Sequence, residues 1–153
     1  MFRFLLLCFA SIYAALPTVS VKHNWELKIE KARENERLLS FSIDNPDKAR
    51  FRLRLDFANN CSLKHSRKNL SSAMLLSSIR WRFAETRFQE KDIWERNKSP
   101  EDCRYFYINF IKNEDIKAFY NLELLGSWGE GGNKLTAGSY SERVIFTIEP
   151  PPP

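Results

Sequence analysis

Glycine is scarce in this chain, five residues of 153, and histidine scarcer still, with only His23 and His65. The shortage of glycine excludes collagen-like and low-complexity chains. Two histidines, one near the N-terminus and one in a polar stretch, leave little material for an imidazole-based catalytic or metal site. The chain has no G-x-S-x-G, and "GSWGEGG" lacks both the frame of a nucleophile elbow and the Lys-Ser/Thr of a phosphate loop. Beyond the first twenty residues, no apolar run approaches the roughly 20 residues of a membrane-spanning helix. No internal repeat is present. These absences predict a protein that is not an enzyme and that carries no metal or cofactor.

What is present suits one compact domain. Aromatics make up 14% of residues, twelve of them Phe, enough for a real core at this length. The segment "MFRFLLLCFASIYAALPTVS" has one positive charge at Arg3, an apolar run to Leu16, then Pro17 and small residues. That is the layout of a secretory signal peptide. Cleavage fits after Ala14 or after Ser20, with Ser20 preferred. The expected organisation is therefore a signal peptide over 1–20, a domain over 21–149 and a polyproline tail over 150–153. It places the mature protein in the periplasm or outside the cell. Without Arg3, 23 basic and 19 acidic residues remain, a mild and dispersed positive charge. Such a balance suits attraction to acidic surfaces better than nucleic-acid binding.

Removing the leader also removes Cys8 and leaves Cys61 and Cys103. In an exported chain the simplest reading is one disulfide. The alternative is a zinc site starting from Cys61 and His65, spaced C-x3-H, but no second ligand pair completes it.

Period-two patterning recurs along the chain. Phe51, Leu53, Leu55 and Phe57 alternate with Arg52, Arg54 and Asp56, which predicts a half-buried strand. Ile79, Trp81 and Phe83 alternate with Arg80 and Arg82 in the same way. Trp25–Arg33, Leu38–Ile43, Lys117–Trp128 and Val144–Ile148 read as further strands. Arg104–Ile111 is apolar on both faces, as in a central strand. Asn59–Ser78 reads as a long polar connection and Gln89–Asp102 as a loop or one helical turn. About seven antiparallel strands without a long amphipathic helix predict an all-β, immunoglobulin-like sandwich.

A corner motif supports that fold. In Leu135-x-x-Gly138-x-Tyr140, Leu135 would plug the core, Gly138 turn the chain and Tyr140 return its hydroxyl to upstream backbone. An ordinary hairpin followed by a tyrosine reads equally well. The order of features resembles the BsuPI family of immunoglobulin-like domains, named for an intracellular proteinase inhibitor. The segments are "FSIDNPDKARFRLRL", "IRWRFAETRFQE" and "GSWGEGGNKLTAGSY", matching at Asn45, Trp81, Phe88, Gln89, Trp128, Gly132, Gly138 and Tyr140. The family's "SGQ-YDF" segment has no counterpart in 59–78, and Cys61 is foreign to an intracellular protein. The resemblance implies a sandwich and, through it, inhibition of a proteinase.

Two surfaces are candidate partner sites. End loops over 61–78, 89–102 and 126–138 would engage a protein, with Trp128 between glycines as aromatic anchor; a core position for Trp128 reads equally well. Arg50, Arg52 and Arg54, joined by Arg80 and Arg82 if the two strands share a sheet, would form a guanidinium patch for an acidic glycan or lipid headgroup. The plain alternative is that these arginines are the solvated exterior of two strands. Three N-x-S sequons, at Asn60, Asn69 and Asn97, mark glycan acceptors only in a eukaryotic chain.

Overall fold

The computed structural model describes residues 15–24, 27–29, 33–65, 73–85, 91–95, 100–112, 116–128 and 138–153. These form twelve strands and one 3-10 turn, Pro100–Cys103. The strands are β1 (Thr18–Asn24), β2 (Leu27–Ile29), β3 (Arg33–Asp44), β4 (Phe51–Phe57), β5 (Ser62–His65), β6 (Ala73–Leu75), β7 (Ser78–Phe83), β8 (Lys91–Glu95), β9 (Tyr105–Phe110), β10 (Phe119–Trp128), β11 (Gly138–Ser141) and β12 (Val144–Glu149). All pairings are antiparallel. The order is β1-β3-β10-β7-β8 in one sheet, β12-β4-β9 in a second and β2-β11-β5-β6 in a third, smaller one.

The two larger sheets pack face to face through the inward side chains that alternation selects. Phe51, Leu53, Leu55 and Phe57 of β4 are all buried, and so are Phe106, Ile108 and Phe110 of β9. Across the interface, the Tyr120 ring lies 4.7 Å from Phe110 and 6.3 Å from Phe51, centroid to centroid. Phe41 meets Phe146 at 4.8 Å. Trp81 and Ile79 of β7 join the same core. The expectation of an all-β antiparallel sandwich holds.

Several finer expectations do not. The connection over 59–78 contains the β5–β6 hairpin, and Leu76 after it is buried. The loop over 89–102 contains β8. Only Leu27–Ile29 of the strand expected from Trp25 is described as such, and Arg33 already belongs to β3. The central role expected of Arg104–Ile111 falls to another strand. β9 is an edge strand with Tyr105 and Asn109 exposed, while β10 is central and buried from Leu122 to Trp128. β1 opens at Thr18, and Thr18, Val19 and Ser20 pair with Asp44, Ile43 and Ser42 of β3; Pro17, just before it, is buried. Pro150–Pro153 follow β12 as an exposed, strandless tail.

Asn45 holds the crossing from β3 to β4, which carries the chain between sheets. Its residue is fully buried, yet both ends of its amide are used. Nδ2 donates to the carbonyls of Ala49 (3.0 Å) and Lys117 (3.2 Å), and Oδ1 accepts the Ala49 N–H (2.9 Å). Its backbone N–H donates to Ala118 O at 2.7 Å. The Tyr120 hydroxyl then accepts the Lys117 N–H at 2.7 Å. A tyrosine hydroxyl bound to upstream backbone is thus found at the start of β10. Tyr140 is buried in β11 with its ring edge-on to His65 at 4.9 Å, and Leu135 lies outside the described residues.

Cys61 and Cys103 form the disulfide, with Cα atoms 5.8 Å apart and a sequence separation of 42. A bonded Cys61 is not available as a thiolate ligand, so the zinc alternative falls. The bridge fastens the start of the β5–β6 hairpin to the end of the 3-10 turn before β9.

Two outcomes follow for stability. Asn45→Ala removes three part-buried hydrogen bonds, to the Ala49 N–H and the Ala49 and Lys117 carbonyls, and is expected to cost about 1–3 kcal/mol in urea unfolding; a loss under about 0.5 kcal/mol would refute the role given to this amide. Reduction of the disulfide is expected to lower stability by about 4 kcal/mol, the chain-entropy value for a loop of this length, read as a drop in the denaturation midpoint with dithiothreitol.

Candidate binding face

The outward face of the β12-β4-β9 sheet is a grid fixed by strand register. Arg52 stands between Glu149 and Asn109, Arg54 between Thr147 and Tyr107, and Asp56 between Ile145 and Tyr105. Directly opposed residues in antiparallel strands share a face, so these nine side chains form one surface. Tyr105 is 46% exposed and Ile145 43%, both high for large apolar groups.

Diagonal contacts tie the grid together. The Arg52 guanidinium lies over the Tyr107 ring at 4.5 Å and that of Arg54 over Tyr105 at 4.6 Å. Cations at this distance from a ring face gain electrostatic attraction from its quadrupole. The two tyrosine rings meet edge to face at 5.8 Å. Arg52 Nε donates to Glu149 Oε2 at 2.7 Å, and Arg54 Nη2 to Asp56 Oδ1 at 2.7 Å. The result is a rigid, mixed aromatic and polar platform whose charges are largely matched within it.

The other arginines face elsewhere. β7 belongs to the five-stranded sheet, and its Ile79 and Trp81 point into the core. Arg80 and Arg82 alternate with them and point to the opposite outer surface from Arg52 and Arg54. The single guanidinium patch expected from Arg50, Arg52, Arg54, Arg80 and Arg82 is therefore two separate surfaces. Arg50 is exposed just before β4.

On the five-stranded side, Arg82 and Arg37 converge on Glu123, a buried carboxylate on β10. Arg82 Nε donates to Oε2 at 2.8 Å and Arg37 Nη1 to Oε1 at 3.0 Å. Desolvation pushes the Glu123 pKa up, but the hydrogen bonds and charges of Arg82 and Arg37 together outweigh it and leave the value lowered. This arrangement neutralises a central strand rather than presenting a free charge.

Trp128 is not an exposed anchor. It is 3% exposed, pairs with Arg33 in the β10–β3 ladder and belongs to the core. Of the resemblance motifs, Asn45, Trp81, Trp128 and Tyr140 are all buried, while Phe88, Gln89 and Gly132 lie outside the described residues. Gly138 opens β11. The end-loop stretches 66–72, 86–90, 96–99 and 129–137 also lie outside them. No family model, curated protein or solved structure matches this chain. The BsuPI resemblance thus rests on its motifs alone.

The residues overlooked in the sequence are Tyr105 and Tyr107. Their signal was there: "YFYINF" alternates Tyr, Tyr, Asn against Phe, Ile, Phe, and counting tyrosine as apolar hides it.

Glu123→Gln is expected to destabilise by about 1–3 kcal/mol at neutral pH, since the charge-assisted bonds weaken and two arginines lose their counter-charge. Because the folded pKa is lowered, this contribution is complete above the ordinary carboxylate range and is lost as pH falls through the lowered value. The gap between wild type and variant should therefore close in acid. Urea titrations at neutral and acidic pH check it; a gap independent of pH would contradict the assignment.

Proposed function

We propose that this protein is an exported, immunoglobulin-like binding module that engages a protein partner through the Tyr105–Tyr107–Arg52–Arg54 face. The observation that carries the reading is the diagonal stacking of two arginines on two solvent-facing tyrosines. Tyr and Arg dominate the energetically important positions of protein interfaces. Held rigid by stacking and ion pairs, they lose little side-chain freedom on binding. Neighbouring Ile145 adds apolar area, and a three-stranded sheet gives the flat geometry such an interface needs.

Export is supported by the Cys61–Cys103 disulfide, since such bridges persist in oxidising compartments. Under this reading the leader is removed after Ala14, which leaves β1 whole. No helix among the described residues is long and apolar enough to cross a membrane. A proteinase is the partner class to which the BsuPI resemblance points.

The anionic-ligand alternative has less behind it. Arg52 and Arg54 already face Glu149 and Asp56, and Arg80 and Arg82 stand on the other side of the sandwich.

The test is affinity capture from extracellular or envelope extract with residues 15–153, at low and high salt, followed by reconstitution with the purified partner. A partner retained at high salt, and weakened about tenfold or more by Tyr105→Ala/Tyr107→Ala, supports the face. Inhibition by the module is then assayed if that partner is a proteinase. Capture of glycan or lipid alone, released by salt, would overturn the reading in favour of the arginines. So would a partner indifferent to both tyrosine changes, which would move the interface elsewhere.

A further inference from the structure

Along β12 the sandwich does not close. Val144 and Phe146 stand opposite Phe57 and Leu55 in register, so all four side chains share the inner face. Phe57 and Leu55 are buried, yet Val144 and Phe146 are only half-buried. The space beside them is a cavity of about 440 Å³, within the usual size range of small-molecule pockets. Leu124 of β10 and Leu63 of β5 form its buried end, and Val21 of β1, 46% exposed, lies at its rim. β1 and β12 are edge strands of different sheets, so the cavity runs from the core to solvent between two sheet edges.

The chain passing from β11 to β12 adds Ser141, Glu142 and Arg143 to this wall. Glu142 is spent within the protein. Its Oε1 accepts the backbone N–H of Arg143 (2.8 Å) and of Asn59 (3.0 Å), and its Oε2 is buried. It shapes the turn and presents no oxygen to a ligand. Arg143 O accepts the Ala58 N–H at 3.0 Å, so the Arg143 backbone is pinned through both its N–H and its carbonyl. Its side chain is placed differently: Arg143 is exposed, and no salt bridge among the described residues holds its guanidinium. Lys64, opposite Ser141 in the β11–β5 pairing, is exposed as well, and its charge is felt at Glu142. Ser141 is thus flanked by two cations, Arg143 two residues on and Lys64 across the ladder.

We propose that this cavity binds a single-chain amphiphile with a carboxylate head, a free fatty acid in chemical class, its chain against Leu124, Leu63 and Phe146 and its head at Arg143. Apolar burial supplies the affinity. The planar guanidinium, whose parallel N–H donors match a carboxylate, selects the head group. Because the Arg143 backbone is pinned, the head is read at one place along the rim. The site is separate from the Tyr105–Tyr107 face, on the outer side of the three-stranded sheet, and from Arg52 and Arg54, which are paired there with Glu149 and Asp56.

The probe is N-phenyl-1-naphthylamine, whose fluorescence rises in apolar surroundings, displaced from residues 15–153 by decanoate or by decylamine. The expected result is saturable probe binding, with decanoate competing at a concentration about tenfold or more below decylamine, the worth of one charge-assisted hydrogen bond. The full sequence has a net charge of +5, which by itself attracts anions, so two variants localise the preference. Arg143→Gln should bring the competitors within about threefold of each other. Arg50→Gln makes the same change of charge at the opposite end of β4 from the Phe57–Val144 pair and should leave the preference in place. Val21→Trp narrows the mouth and should weaken probe binding, with the circular dichroism spectrum of all three variants unchanged. The proposal is overturned by absence of saturable probe binding, by decylamine competing as well as decanoate, or by probe binding indifferent to Val21→Trp. A preference that survives Arg143→Gln, or that Arg50→Gln removes equally, overturns it too.

Discussion

Burying a strand on both faces dictates the polar chemistry around it, and β10 is the strand so placed. Its inner residues Tyr120, Leu122 and Leu124 seal the contact between the sheets, while its neighbours β3 and β7 remove the edges from water. Glu123 has to point outward from this strand and still be desolvated. Arg37 and Arg82, one from each neighbouring strand, answer that demand. Tyr120 and Asn45, both buried, do the same work at the strand's beginning, where the turn after β3 meets the backbone of 117–118.

Legibility in the sequence followed physical simplicity. β4 was evident because one of its faces is uniformly apolar and the other uniformly charged. β7 was evident for the same reason, and β12 from the apolar alternation of Val144, Phe146 and Ile148 alone. β5, β6, β8 and β2 are three to five residues long, too short for a period to show, and three of them are held by pairing within small sheets rather than by a wide apolar face. The reading of β9 as a central strand has a different cause. Tyrosine is apolar in its ring and polar at its tip, so Tyr105 and Tyr107 read as core while serving as surface. Glu123, conversely, reads as surface although its strand is central.

The candidate face was half visible. The Arg-x-Arg of β4 and the Tyr-x-Tyr of β9 are each plain in the sequence, separated by some fifty residues. Only the register that sets Arg54 against Tyr107, and the diagonal that lays its guanidinium over Tyr105, joins them into one surface. The opposite lesson comes from Arg80 and Arg82, where a similar local pattern belongs to the other sheet.

The three-stranded sheet ends in β12, an edge strand only six residues long that runs straight into Pro150–Pro153. Proline carries no amide hydrogen, and its ring holds the backbone near the polyproline conformation. A second chain that began to zip onto β12 would find its ladder cut off at Glu149, after at most three donors on the available side. Edge-to-edge pairing along β12 is thereby limited to the length of the strand itself.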